Sequence, residues 1–97
     1  MTRTAIDAAL RRLAPRVPAH ERGSIVDHAL DNPALRSATP ETAAWLSLVA
    51  YVRHALTDYD ALLGEGYDQE SARFFVAAAM NEILRDWGVR RPLATKD

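Results

Sequence analysis

Apolar residues recur along the chain at intervals of three and four residues, the period of an α-helix with one buried face. In the first thirty-odd residues this period predicts two helices, one from a Thr4 cap to about Ala14 and one from Pro18 to about Asp31. Asn32-Pro33 ends the second helix, because the residue before a proline avoids the α-helical region. The residues expected to face inward are Ile6, Ala9, Leu10, Leu13, Ile25, Val26, Ala29 and Leu30.

The strongest helix-start signal is Thr39-Pro40-Glu41, which supplies a cap, a proline at the first helical position and an acid in the first turn. It predicts a third helix that continues to about Leu56. Apolar residues cover most sides of this helix, and a helix of that kind is normally buried at the centre of a bundle. The residues that share its main face are Trp45, Val49, Val52 and Leu56.

Two further helices are predicted after Leu56. Thr57, with Asp60 three residues later, resembles a capping box and predicts a short fourth helix that stops at Gly64. Asp68 is expected to cap a fifth helix, from Gln69 to Trp87. Its predicted inward stripe consists of Ala72, Val76, Ala79, Ile83 and Trp87, with Phe75 and Met80 beside it.

These elements predict an all-α fold, a single compact domain of four to five helices that resembles a helical bundle. The third and fifth helices are expected at its centre, and 97 residues suffice for one core. The domain should span residues 1–88, and residues 89–97, which show no period, should form a mobile C-terminal tail. Residues expected to be buried include Trp45, Val49, Val52, Val76, Ala79 and Ile83.

Composition narrows the function classes. The chain contains no cysteine, which excludes disulfides and thiolate nucleophiles and favours a cytoplasmic location. We find no signal peptide and no uncharged apolar stretch of about 18 residues, so we expect no association with a membrane. The net charge of −1 argues against nucleic acid as a partner. A weak, salt-sensitive contact with nucleic acid stays open through Arg11, Arg12, Arg16, Arg22 and Arg90-Arg91.

The densest group of polar residues lies between the third and fourth helices. Arg53, His54, Asp58, Tyr59 and Asp60 fall within eight residues, and such side chains can carry acid–base chemistry or bind a metal. A simpler interpretation also fits, because cations are favoured where a helix ends and anions where the next helix begins.

Arg73 is added to this cluster because it would complete a pocket with His54, Tyr59 and Asp60 if the fold brings them together. The sequence contains no HExxH, P-loop, GxSxG or GxGxxG motif. We therefore assign no catalytic residue, no cofactor and no metal ligand from the sequence.

Phe74 falls outside the core stripe of the fifth helix, on a polar side near Asn81 and Arg85. With Ala78 and Arg85 it could form a self-complementary patch, which a two-fold homodimer requires. The competing interpretation is that Phe74 packs beneath the loop of residues 64–67 in the same chain.

Several segments of the chain also resemble an uncharacterised family of bacteria and fungi, catalogued only as a domain of unknown function (family number 2293). The resemblance covers about residues 5–91 and implies one standalone domain, without an activity or a site residue to carry over. It rests on Ala50-Tyr51-Val52-Arg53-His54, Thr57-Asp58-Tyr59-Asp60, Leu62-Leu63, Gly66-Tyr67-Asp68, Ser71-Ala72-Arg73, Asn81, Leu84 and Trp87-Gly88.

These observations favour a non-enzymatic interaction module that acts on another protein or on its own copy. The first alternative is a small enzyme, or a ligand- or metal-binding domain, that uses the Arg53-His54 and Asp58-Tyr59-Asp60 cluster. The second alternative is a weak nucleic-acid binder.

Overall fold

The computed structural model describes residues 1–94 and 97. In that part of the chain it contains helices and no strand, which confirms the predicted all-α fold. Among the described residues, none of the helices combines the length and the hydropathy of a membrane-spanning segment. The helices are α1 (Arg3–Leu13), α2 (Ala19–Asp31), α3 (Pro40–Leu56), α4 (Tyr59–Gly64) and α5 (Gln69–Asp86), with a 3-10 turn at Pro33–Leu35.

Side-chain caps explain where three of these helices begin. The Thr39 hydroxyl accepts a hydrogen bond from the amide of Thr42 at 3.1 Å, and the Asp68 carboxylate accepts one from the amide of Ser71 at 2.7 Å. Both caps are the predicted ones. In α1 the cap is Thr2 rather than Thr4, because the Thr2 hydroxyl accepts from the amide of Ala5 and the helix starts at Arg3.

Helix α3 is the central element, as predicted. It packs against all four of the other α-helices. Its most extensive neighbours are α1 and then α2, whereas α5 packs more on α4 than on α3. The pair at the centre of the core is therefore α3 with α1 rather than the predicted pair of α3 with α5, because α5 packs less on α3 than α1 and α2 do. The buried residues of α3 are Ala43, Ala44, Trp45, Ser47, Leu48, Val49, Val52 and Arg53.

The buried face of α5 differs from the predicted stripe. Ala79 is exposed and Ile83 is only half-buried, while Met80 and Leu84 are fully covered. At 100° per residue, this places the buried face about 40° from the predicted one, towards the bulkier side chains. Leu30 and Leu56, also predicted to face inward, are 38% and 36% exposed, so the prediction for these two residues is wrong.

The segment after α5 turns back onto the core. Gly88 has a φ of +89°, and a Cβ there would lie 3.0 Å from the Pro15 side chain, so this turn favours glycine. Val89 is buried, and the Arg91 guanidinium lies 4.1 Å from the centre of the Trp45 ring. Residues 95–96 of the predicted C-terminal tail lie outside the described residues, and its mobility stays a prediction.

Core packing along α3 yields a stability prediction. Leu48 is fully buried and Leu46, two residues earlier, is 43% exposed. Leu48→Ala should lower the free energy of unfolding by about 2–5 kcal/mol, because it removes buried methyl groups and leaves a cavity. The matched control Leu46→Ala should lose less than about 1 kcal/mol, since water already covers much of that side chain. Urea denaturation followed by circular dichroism measures both, and equal losses would contradict this packing.

The Asp68 cap yields a pH prediction. Its hydrogen bonds with Ser71 lower the pKa of the Asp68 carboxyl below the usual aspartate value. A lowered pKa means that the ionised cap stabilises the fold at neutral pH, and that this contribution disappears as the pH falls through the folded-state pKa. Asn is also a good cap and does not ionise.

The stability advantage of the wild type over Asp68→Asn should therefore shrink as the pH falls through and below about 3.9. Thermal unfolding at a series of pH values checks it. A difference between the two proteins that stays constant with pH would refute the role of the ionised cap.

Candidate functional site

The junction between α3 and α4 holds most of the predicted polar cluster. Only Thr57 and Asp58 separate the two helices. The Thr57 hydroxyl donates to the carbonyl oxygen of Arg53 and accepts from the amide of Tyr59 at 3.2 Å, which joins the end of α3 to the start of α4. The N-cap residue is Asp58, whose side chain makes no capping hydrogen bond. The predicted capping box is therefore wrong.

Asp60 contacts His54 instead of the helix start. Its Oδ1 lies 2.6 Å from Nδ1 of His54. The His54 ring also meets the ring of Tyr59 edge-on, with 5.2 Å between the centroids. Tyr59 is buried, whereas the side chains of His54 and Asp60 are 52% and 62% exposed. This arrangement is a surface hydrogen-bonded pair that rests on a buried aromatic ring.

Arg53 lies in a different environment from its neighbour His54. Only 7% of its surface is exposed, and its guanidinium lies 5.6 Å from the centre of the Tyr59 ring. Its Nη2 donates to the backbone oxygen of Asp97. The Nε atom is buried and has no hydrogen-bond acceptor among the described residues. Burial, and then the nearby charge of Arg73, lower the pKa of the Arg53 guanidinium.

Arg73, in the second turn of α5, lines the same cleft as Arg53. The cleft has a volume of about 860 Å³. The Nε atom of Arg73 is also buried and, within residues 1–94 and 97, has no acceptor. No salt bridge in that part of the chain joins either guanidinium to a carboxylate. Other residues that line the cleft include Glu70, Phe74, Ala77, Met80, Asn81, Leu93 and Asp97.

The structure therefore divides the predicted cluster into two parts. His54 and Asp60 form the surface pair, and Arg53 and Arg73 line the cleft. Tyr59 contacts both His54 and Arg53. One signal for the cleft was available in the sequence, because Arg53 follows Val49 by four residues and so shares the buried face of α3.

The cluster does not form a metal centre in the part of the chain that the structure describes. That part contains no group of three or more His, Asp and Glu side chains able to hold one ion. Asp58 is exposed and Asp60 contacts only one histidine, so the four-residue spacing of His54 and Asp58 does not bring a ligand set together.

The predicted interface residues on α5 are all exposed. Phe74 is 78% exposed, and Ala78 and Arg85 also face solvent. The ring that meets Tyr67 belongs to Phe75, at 5.4 Å between centroids, rather than to Phe74. The alternative in which Phe74 packs beneath the loop of residues 64–67 is therefore wrong.

The N-terminal arginines are engaged in local contacts. Arg11 and Arg22 both bond to Asp7, at 2.9 and 3.1 Å, and Arg12 bonds to Glu41 at 3.3 Å. Arg16 donates to the backbone oxygens of Asp86 and Arg85. Acidic partners offset much of the positive charge that a phosphate-binding strip would need.

Comparison with known proteins identifies one family. Residues 9–88 match the model of a family described as "Uncharacterized conserved protein (DUF2293)". No curated protein and no solved structure matches the chain. The match covers most of the chain and confirms the resemblance seen in the sequence.

The surface position of the His54–Asp60 pair predicts a weak interaction. A double-mutant cycle with His54→Ala and Asp60→Ala should give a coupling energy of about 0.2–1 kcal/mol, because water competes for both exposed side chains. His54→Ala combined with Asp58→Ala is the control and should be additive within about 0.5 kcal/mol. A His54–Asp60 coupling above about 3 kcal/mol would show instead that the pair acts as a buried charge pair.

Proposed function

The chain belongs to the uncharacterised conserved family DUF2293, and from that premise we propose that it is a non-enzymatic protein-interaction module whose partner is a second copy of itself. The observation that carries the proposal is the exposure of Phe74, which is 78% exposed on the outer face of α5, the face that also holds Glu70, Ala78 and Arg85. A side chain of this size buries about 150–250 Å² when it is covered. Leaving it in water is therefore a considerable free-energy cost that an interface removes.

The exposed aromatic residues form a continuous patch. The rings of Tyr67 and Phe75 lie 5.4 Å apart, and those of Phe75 and Phe74 lie 5.8 Å apart. Single exposed apolar residues are ordinary on protein surfaces, whereas contiguous patches mark interaction sites. Aromatic residues are also enriched at interfaces. The run of three rings therefore supports an interface at this side of the molecule.

The outer face of α5 is also suited to pairing with its own copy. At 100° per residue, Glu70, Phe74, Ala78 and Arg85 all project within an arc of about 80°. All four are exposed. The small Ala78 stands near the middle of this row, where two helices can approach closely.

Charge complementarity sets the direction of the pairing. Glu70 lies eight residues before Ala78 and Arg85 lies seven after it, about 12 and 10 Å along the helix axis. If two α5 helices cross antiparallel at Ala78, Glu70 of each copy faces Arg85 of the other. A two-fold dimer requires a self-complementary surface of this kind. Parallel pairing would place like charges together.

The enzyme hypothesis rests on a single feature, the His54–Asp60 hydrogen bond. Both side chains are more than half exposed, and the contact fits a link between the end of α3 and the start of α4. Loss of a hydrolase activity in His54→Ala would favour that hypothesis.

For the nucleic-acid hypothesis, the acidic partners of Arg11, Arg12 and Arg22 reduce the positive charge available to bind phosphate. The absence of cysteine from the sequence supports the cytoplasm as the proposed location.

Phe74→Glu tests the proposed dimer. The substitution places a charge in the aromatic patch of both copies, so the dimer dissociation constant should rise at least about 100-fold. Light scattering and analytical ultracentrifugation measure it. Leu46→Glu introduces the same charge at an exposed leucine of α3 and should leave dimerisation unchanged. A monomeric wild type, or equal effects of both variants, would contradict the proposal.

A charge exchange tests the direction of pairing. Glu70→Arg and Arg85→Glu should each weaken the dimer, because each places two like-charge pairs at the interface. The double variant Glu70→Arg/Arg85→Glu restores opposite charges and should recover most of the affinity. Circular dichroism checks that all three variants stay folded. A double variant weaker than both single variants would overturn the antiparallel geometry.

A further inference from the structure

We infer that the cleft between the last turn of α3, helix α5 and residues 93–94 is a binding site for a carboxylate that carries an apolar group. Arg53 and Arg73 would bind the carboxylate. Glu70 and Phe74 line this cleft and also belong to the outer face of α5, so the test below uses a substitution of Arg73, which lies outside that face.

Neither arginine of the cleft is paired with a side-chain carboxylate in the described part of the chain. Arg53 is 7% exposed and Arg73 is half-buried, and both line the cleft. Glu70 and Asp97 also line it, yet no salt bridge within the described residues joins a side-chain carboxylate to either guanidinium. The charge of Asp97 opposes the lowering of the Arg53 pKa, but it is one anion beside two cations. Two buried or half-buried cations with so little counter-charge are costly. An anion between them removes that cost.

The same two guanidinium groups also have unused hydrogen-bonding capacity. The Nε atoms of Arg53 and Arg73 are buried and, in the described part of the chain, lack an acceptor. Buried polar atoms are nearly always hydrogen-bonded, and an exception calls for an explanation. A bound oxygen acceptor satisfies both atoms.

The geometry of the groups indicates which anion fits. A planar guanidinium presents paired N–H groups that match the two oxygens of a carboxylate. The guanidinium of Arg53 already binds one oxygen atom, because its Nη2 donates to the backbone oxygen of Asp97. The side-chain carboxylate of Asp97 instead accepts hydrogen bonds from Nε1 of Trp45 and from the amide of Ala94. A ligand carboxylate would take the place of that backbone oxygen.

The walls of the cleft indicate what the carboxylate is attached to. Phe74, Ala77, Met80 and Leu93 provide apolar surface beside the arginines. The volume of about 860 Å³ lies within the range of small-molecule sites. An inorganic anion would leave the apolar walls uncovered, whereas an aromatic or aliphatic acid would cover them. Such a group can come from a free organic acid or from a peptide with an acidic residue beside an apolar one.

An NMR titration of the arginine Nε–H resonances tests the site. The probes are phenylacetate, its uncharged counterpart phenylacetamide, inorganic phosphate, and a blocked peptide with Glu beside Phe, together with the peptide's Gln counterpart. Phenylacetate or the Glu peptide should shift the Nε–H resonances of Arg53 and Arg73 saturably, and phenylacetamide and the Gln peptide should not. A response to phenylacetate indicates a free acid as the source, and a response to the Glu peptide alone indicates a peptide; both support the site.

Arg73→Gln should weaken binding of the active probe at least about tenfold, because it removes one charged hydrogen-bonding partner. Arg36→Gln, at an exposed arginine away from the cleft, should leave binding unchanged. Arg73→Gln leaves the outer face of α5 intact, so its dimerisation should match the wild type. The site is refuted if no carboxylate probe shifts either resonance up to about 10 mM, if only phosphate does, or if Arg73→Gln binds like the wild type.

Discussion

The burial of most sides of α3 constrains the positions of all the other helices. Its buried residues occupy most of its circumference, from Ala43 to Arg53, so no single neighbour can cover them. Helices α1, α2, α4 and α5 all pack against it. In the last turn of α3 the same buried face includes Arg53, so a charged side chain lies in the interior. The arginine cleft is thus a consequence of how the core is built.

Local signals in the sequence predicted the helices well, because a cap is a hydrogen bond between residues three positions apart. Thr39 and Asp68 begin α3 and α5 as expected. The face that α5 buries depends on its distant neighbours instead. Ala79 and Met80 both fit a helical stripe, and only the packing of α5 on α4 and α3 decides that Met80 is covered and Ala79 is not.

The candidate site was predicted in part for the same reason. His54 and Asp60 were expected near each other and they are hydrogen-bonded. Their neighbour Arg53, adjacent in sequence, points to the interior because successive residues on a helix are 100° apart. Its companion Arg73 lies twenty residues later, and the residue pattern grouped the two arginines without separating them from His54. The separation depends on the buried ring of Tyr59, which contacts both His54 and Arg53.

The absence of cysteine from the chain permits a direct test of the α5 interface. In the proposed dimer Ala78 lies at the two-fold axis, so Ala78→Cys places two thiols within the short Cβ–Cβ range that a disulfide requires. Mild oxidation should therefore give a covalent dimer of Ala78→Cys, and no comparable dimer of Leu46→Cys, whose thiol lies on the exposed side of α3. Failure of Ala78→Cys to cross-link, or equal cross-linking of both variants, would contradict the interface.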